Sequence, residues 1–147
     1  MVLRYFCGGA DQNTRDHAAL RMFMPPRILI VDDSAEVRKV MRRIFESQPG
    51  WQVCGEASNG KEGIEAAQRV HPNLIILDLS MPVMNGLEAA KVLTHSMPAV
   101  PLVMFTSFST HVLEQEAMAA GISKIIFKSG ALTELVSCVR VLAKDAA

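Results

Sequence analysis

At 147 residues, 50% hydrophobic and 20% charged, the chain is long enough for one domain with a core of its own and too short for two ordinary domains and a linker. Fifteen Lys and Arg balance fifteen Asp and Glu, so the charge gives no sign of nucleic-acid binding, and no apolar run is long enough to span a bilayer or mark the chain for export. Three cysteines, Cys7, Cys54 and Cys138, are odd in number and far apart, which fits neither a disulfide framework nor a CxxC metal site and points to a reducing cytosol.

Residues 1–24 fit no regular pattern. They are expected to be a leader, either disordered or holding a short helix over 14–23 with Ala18, Ala19, Met22 and Phe23 as its apolar patch. Met24-Pro25-Pro26 reads as a natural start, and the folded domain is placed at 25–147. A first strand, Ile28 to Val31, stops at Asp32-Asp33. A helix follows, with Val37, Val40, Met41, Ile44 and Phe45 on one face. Trp51-Gln52-Val53-Cys54 is a weaker strand, and Asn59 with Glu62 marks the start of a helix carrying Ile64, Ala67 and Val70. Leu74 to Leu77 is a third strand, stopping at Asp78, before a helix striped by Leu87, Ala90, Leu93 and Met97. Leu102 to Phe105 stops at Thr106-Ser107. The helix over 109–120 has only Leu113, Ala117 and Ala120 to bury and is expected to be the most mobile element. Ile125 to Phe127 stops at Lys128, and a last helix buries Leu132, Leu135, Val136, Val139 and Leu142.

Short strands that are apolar without alternation suit a parallel sheet covered on both faces, so the fold class is α/β with five strands alternating with five helices. Right-handed crossovers place helices on both sides of such a sheet, and ligands bind outside the carboxyl ends of its strands. The polar endings Asp32, Asp33, Asp78, Thr106 and Lys128 would meet there. Carboxylates gathered at one edge repel unless a cation joins them. A set of oxygen ligands with no His or Cys selects a hard ion, and a small open cluster suits Mg2+ better than a Ca2+ cage, with Mn2+ able to substitute. A lysine and a hydroxyl beside the metal complete what phosphoryl transfer needs, and the group left to act is a carboxylate nucleophile.

The acidic pair Asp32-Asp33, the segment Asp78-Leu79-Ser80-Met81-Pro82-Val83-Met84-Asn85-Gly86, the pair Thr106-Ser107 and Lys128 together resemble the response-regulator receiver family, over residues 27 to about 143. The resemblance implies a flavodoxin-like doubly wound (βα)5 fold with strand order 2-1-3-4-5. It implies Asp78 as phosphate acceptor, Asp33 as a direct Mg2+ ligand, Asp32 as a ligand through water or a base-like neighbour, and the Ser80 carbonyl completing the metal site. Lys128 would pair with the phosphoryl oxygens, Thr106 would move to hydrogen-bond one of them, and the amides of Leu79 and Ser107 would assist. The implied partners are a histidine kinase or phosphotransfer protein, with a phosphorylation-dependent homodimer in view, no direct nucleic-acid binding and no membrane. The implied place is the cytoplasm and the implied role a signalling switch, not an enzyme on external substrates.

Taken singly, each residue has a plainer reading. Asp33 or Ser34 could cap the helix that follows, Asp78 could form a turn, Thr106 could be an ordinary loop hydroxyl, and Lys128 could be solvated. A phosphatase of the haloacid-dehalogenase kind would want a second aspartate two residues after the first, where this chain has Ser80; a degenerate receiver is opposed by the intact set. Cys54 and Cys138 read as inert core thiols, and His17, His71, His95 and His111 lack ligand spacing. The basic run Arg38, Lys39, Arg42 and Arg43 is either a solvated face or a docking surface for a histidine kinase or phosphotransfer protein. Three positions depart from the family's usual pattern. Lys128 is followed by Ser129, and the Lys-Ser-Gly ending, with 84–89, is most like receivers that precede a LuxR-type DNA-binding domain, so the chain is a stand-alone receiver or part of such a regulator. Phe108, two residues past Thr106, is expected to shield the acyl phosphate from water. Ile125 stands where a swinging aromatic is common and, being β-branched and apolar, is expected to report phosphorylation poorly, leaving the signal to the Thr106 loop and the helix over 109–120.

Overall fold

The computed structural model describes residues 25–145; the leader expected over 1–24, its helix included, lies outside the described residues. Strands and helices alternate as β1 (Arg27–Val31), α1 (Ala35–Glu46), β2 (Gln52–Ala57), α2 (Gly60–Val70), β3 (Leu74–Leu77), α3 (Gly86–Ser96), β4 (Leu102–Thr106), α4 (His111–Ala119), β5 (Lys124–Phe127) and α5 (Leu132–Asp145). All strand pairs are parallel, in the order β2-β1-β3-β4-β5, which is the expected flavodoxin-like sheet.

Successive side chains of a strand point to opposite faces, and here both faces are covered. Leu29, Val31, Ile75, Leu77 and Met104 pack under α2, α3 and α4 against Ala66, Ala67, Ala89, Ala90, Leu93 and Ala117. Ile28, Ile30, Ile76, Val103, Phe105 and Ile126 pack under α1 and α5 against Met41, Phe45, Leu135 and Val139. Four helices begin at side chains that accept from an open amide of the first turn: Ser34 from Val37, Asn59 from Glu62, Asn85 from Glu88 and Thr110 from Leu113. Each such cap contributes about 1 kcal/mol. The α2 helix ends at His71 in the left-handed region, φ 49°, and Arg27 of β1 reaches over to donate to the Val70 and His71 carbonyls at 2.9 and 3.3 Å.

Three expectations are corrected. The second strand runs to Ala57 and does not include Trp51, because β2 is an edge strand whose alternating burial breaks up the apolar signal; Trp51 packs instead on Phe45, ring centroids 6.1 Å apart. Val40 lies at the margin of the α1 stripe and is 44% exposed. Cys54 and Cys138 are half-buried, not core, although burial pushes both thiols up, which agrees with low reactivity. Peptide bonds are trans throughout the described residues, the one after Lys128 included.

The loop after β3 has the tightest fit. The Gly86 amide donates to the Leu79 carbonyl at 2.9 Å, and a Cβ on Gly86 would stand 2.1 Å from the carbonyl oxygen of Asp78. Three residues earlier, exposed Val83 holds φ at 68°, which costs a β-branched residue on the order of 1–3 kcal/mol. Val83→Asn should therefore raise the unfolding free energy by about 1 kcal/mol, whereas Gly86→Ala should lower it by about 2 kcal/mol or more, since backbone atoms cannot give way as a side-chain tip can. Urea melts at constant m-value read both, and a Val83→Asn midpoint at or below the parent's would dismiss strain at that position.

Candidate functional site

The strand order sets the ends of β1 and β3 side by side. Val31 pairs with Leu77, and the Asp78 amide donates to the Val31 carbonyl at 2.9 Å, so Asp32 and Asp78 leave the sheet at one level. Their burial is nearly complete, 1% and 5% exposed, while Asp33 on the next peptide is exposed. One carboxylate oxygen from each of Asp32, Asp33 and Asp78 lies within 4.8 Å of the other two.

Lys128 comes from two strands away. Phe127, at the end of β5, pairs with Thr106, and the Lys128 amide donates to the Thr106 carbonyl at 2.8 Å, which starts the side chain inward at the right height. The ammonium lies 5.9 Å from the Phe105 ring centroid and reaches Asp32 Oδ2 at 2.7 Å and Asp78 Oδ2 at 3.3 Å. Burial, then the neighbouring charge of Asp32, push the Asp78 carboxyl up; Lys128 and the Leu79 amide, which donates to Asp78 Oδ1 at 2.8 Å, oppose this without cancelling it. For Lys128 burial acts downward, but the hydrogen bond to Asp32 and the charges of Asp78 and Asp32 outweigh it, and the ammonium is held above its ordinary value. It is a firmly charged group at physiological pH.

Asp32 Oδ1 accepts from the Ser34 amide at 2.9 Å, and its buried Oδ2 has the Lys128 ammonium on one side at 2.7 Å, with a lone pair left over. A buried carboxylate oxygen with an open lone pair, beside two further carboxylates and no nitrogen or sulfur donor, fits a hard divalent cation such as Mg2+. Ser34 is the cap of α1, so capping does not account for Asp33.

The remaining expected residues surround this cluster without all joining it. Leu79 is buried and its amide is engaged as above; Ser80 is exposed and lines an open groove running from Asp33 past Met81 to Leu113 of α4. Thr106 is 2% exposed at the end of β4, but its hydroxyl donates to the Phe108 carbonyl at 3.2 Å. Ser107 is exposed, and the Phe108 ring, 67% exposed, is not part of the groove's lining. The basic run divides. Arg42 pairs with Glu46 at 2.9 Å and Glu56 at 3.1 Å, Arg38 donates to a backbone carbonyl of the site, and Lys39 and Arg43 are exposed. Sequence reasoning missed the Asn85–Glu88 capping box that fixes α3 behind the acceptor loop, though its N-x-x-E spacing was readable; the Arg38 contact had no signal in the sequence.

Comparison with known proteins agrees with this geometry. A family model described as the response regulator receiver domain matches residues 28–140. The chain is 31% identical over 121 residues to the chemotaxis protein CheY of Thermotoga maritima, covering 82% of this chain and all of that one. It is 41% identical over 101 residues, 69% of its length, to a protein-glutamate methylesterase/protein-glutamine glutaminase of Methanosarcina acetivorans, and spans only 29% of that longer protein. Among solved structures, the response regulator domain of Thermotoga maritima CheB superposes with a TM-score of 0.74 at 33% identity, over 81% of this chain and 96% of that one. A LuxR-family two-component response regulator from an Aurantimonas species gives 0.78 at 29% identity, over 82% and 86%. The chain belongs to the receiver-domain family of two-component response regulators.

The raised Asp78 carboxyl makes a prediction for the protein without metal. A carboxyl raised above its unfolded value opposes folding by ionising, fully above its folded pKa, and the opposition disappears as pH falls below the unfolded value. Asp78→Asn in EDTA should therefore be more stable than the parent at pH 7, with the difference fading toward about pH 4, where a free Asp protonates. Urea melts across that range check it; a variant less stable at pH 7 would mean that the Lys128 and Leu79 contacts outweigh burial.

Proposed function

We propose that this receiver is a phosphorylation switch in which Asp78 takes a phosphoryl group from the phosphohistidine of a histidine kinase or phosphotransfer protein. The observation that carries the reading is the Lys128 ammonium lying between Asp32 and Asp78, with Asp33 completing the carboxylate cluster. Asp78 and Asp33 would hold Mg2+ directly, Asp32 through water, and Ser80 by its carbonyl. When bound, the cation offsets the negative charge that phosphoryl transfer concentrates at the site.

A carboxylate oxygen of Asp78 forms the new bond to phosphorus as the phosphorus–nitrogen bond of the donor breaks, its electron pair leaving on the imidazole nitrogen. Asp78 thereby loses its own charge, and Lys128 exchanges a carboxylate partner for a phosphoryl oxygen. The amides of Leu79 and Ser107 donate to the same group. The Thr106 hydroxyl leaves the Phe108 carbonyl, 3.2 Å away in this arrangement, for a phosphoryl oxygen. That exchange loosens the turn that precedes α4, the helix of which only Ala117 is buried, and α4 is the surface that changes. Ile125, half-buried against the same core, keeps its place. In this reading the protein promotes its own phosphorylation and dephosphorylation, turns over no external substrate, acts in the cytoplasm, and passes the signal by altered docking or self-association. The receiver domain serves equally alone or as the receiver of a larger regulator.

Acetyl phosphate with Mg2+ should add one phosphoryl group by mass, and Asp78→Asn should abolish the gain; an undiminished gain in the variant would overturn the assignment of the acceptor. Beryllofluoride with Mg2+ should alter hydrogen exchange across 106–121 and leave Ile125 little changed, so unaltered protection over 106–121 would remove α4 as the output. Phe108 shields the acyl phosphate only if its exposed ring folds inward, and on that account Phe108→Glu should lose phosphate several-fold faster; equal or slower loss would end the idea.

A further inference from the structure

The residue left unexplained by the proposed chemistry is Arg38. It lies on α1, one residue beyond the first turn, near the end where a helix dipole favours anions and not cations. Its guanidinium turns back over that end and donates from Nη1 to the backbone carbonyl of Asp32 at 2.7 Å. The Asp32 amide, on the other side of the same residue, donates to the Ala57 carbonyl at 3.1 Å as a last rung beyond the β1–β2 pairing. The carbonyl has no neighbour strand to take it, because the chain leaves the sheet there. Arg38 supplies the missing donor.

That carbonyl belongs to the peptide joining Asp32 to Asp33. A peptide unit is planar, so fixing its oxygen fixes the direction in which the Asp33 amide and Cα continue. The Asp32 side chain is already held by the Ser34 amide and the Lys128 ammonium. Asp33 is exposed, and the plane of its peptide is the part of its placement that the interior can dictate.

We propose that Arg38 is a positioning residue for divalent-cation binding: by clamping the Asp32–Asp33 peptide it holds the Asp33 carboxylate within reach of Asp32 and Asp78. The proposal rests on the reading of the cluster as a Mg2+ site. It differs from a simple charge effect in sign. A guanidinium near a cation site repels the cation, so by charge alone its removal should tighten binding, whereas loss of a clamp weakens it.

The test is calorimetric titration of the unphosphorylated protein with MgCl2, beside thermal melts in EDTA. Arg38→Gln should weaken Mg2+ binding about tenfold or more, the range for loss of an outer support of a metal ligand. Arg38→Lys, which keeps the charge and one donor, should fall between the two, with apo melting temperatures near the parent's. Lys39→Gln removes an exposed charge from the next position and should bind as tightly as the parent or tighter. Equal or tighter binding by Arg38→Gln would overturn the clamp while leaving the Mg2+ site standing. If Arg38→Gln fails to fold, Arg38→Lys decides, parent affinity in it refuting the proposal. A parent protein with no measurable Mg2+ binding would remove the site reading and the clamp together.

Discussion

The arrangement depends on putting three carboxylates at one end of a sheet and keeping them there. Two of the three are almost wholly buried, and a buried negative charge beside another is a standing cost that folding must offset elsewhere. The offset is the Lys128 ammonium, delivered from β5 across the end of β4 and lying over the Phe105 ring. Only a parallel sheet supplies this geometry so simply, because every strand then ends at the same edge and the residue after each strand arrives at the same height. The pairing of Val31 with Leu77 and of Phe127 with Thr106 is what turns residues nearly a hundred positions apart into neighbours.

The two sides of the site differ in stiffness. On the β1 and β3 side the backbone is held repeatedly: the Asp78 carbonyl leaves no room for a Cβ at Gly86, the Leu79 carbonyl accepts from Gly86, the Gly60 amide donates to the Met84 carbonyl, and Asn85 and Glu88 lock the start of α3. On the β4 side a single hydroxyl contact, Thr106 to Phe108, stands between the strand and a helix with little buried surface. A chemical change at Asp78 therefore has one direction in which the structure gives easily. At its far end α4 is tied down again, since Thr94 donates to the Ala120 carbonyl at 2.9 Å.

How much of this was legible follows from what each residue had to do. Strands buried on both faces are uniformly apolar, so β1, β3 and β4 were readable nearly to the residue; β2, at an edge, has one face half-wet and was misread at both ends. The gathering of Asp32, Asp33, Asp78 and Lys128 was legible because chemistry limits residue type: Asp and Lys at strand ends have few structural reasons to recur together. What was hidden depends on how the chain bends back on itself. The reach of Arg38 to a carbonyl six residues earlier, the positive φ of Val83 and the exposure of Val40 leave no periodic trace, because each is decided by a neighbour distant in sequence or by the margin of a packed face.

The residues of the candidate site sit at strand ends or on the loops just beyond them, at one edge of the sheet, and the connections at the opposite edge carry none of them. Exposed Pro98 and Ala99, between α3 and β4, and exposed Pro49 and Gly50, between α1 and β2, are joints of this second kind. The molecule therefore offers places where new ends could be opened or a reporter peptide spliced in while the working edge keeps its register, since the strands between the two edges are bound by their own ladders. For protein engineering, the fold separates a face that computes from a face that can be rewired.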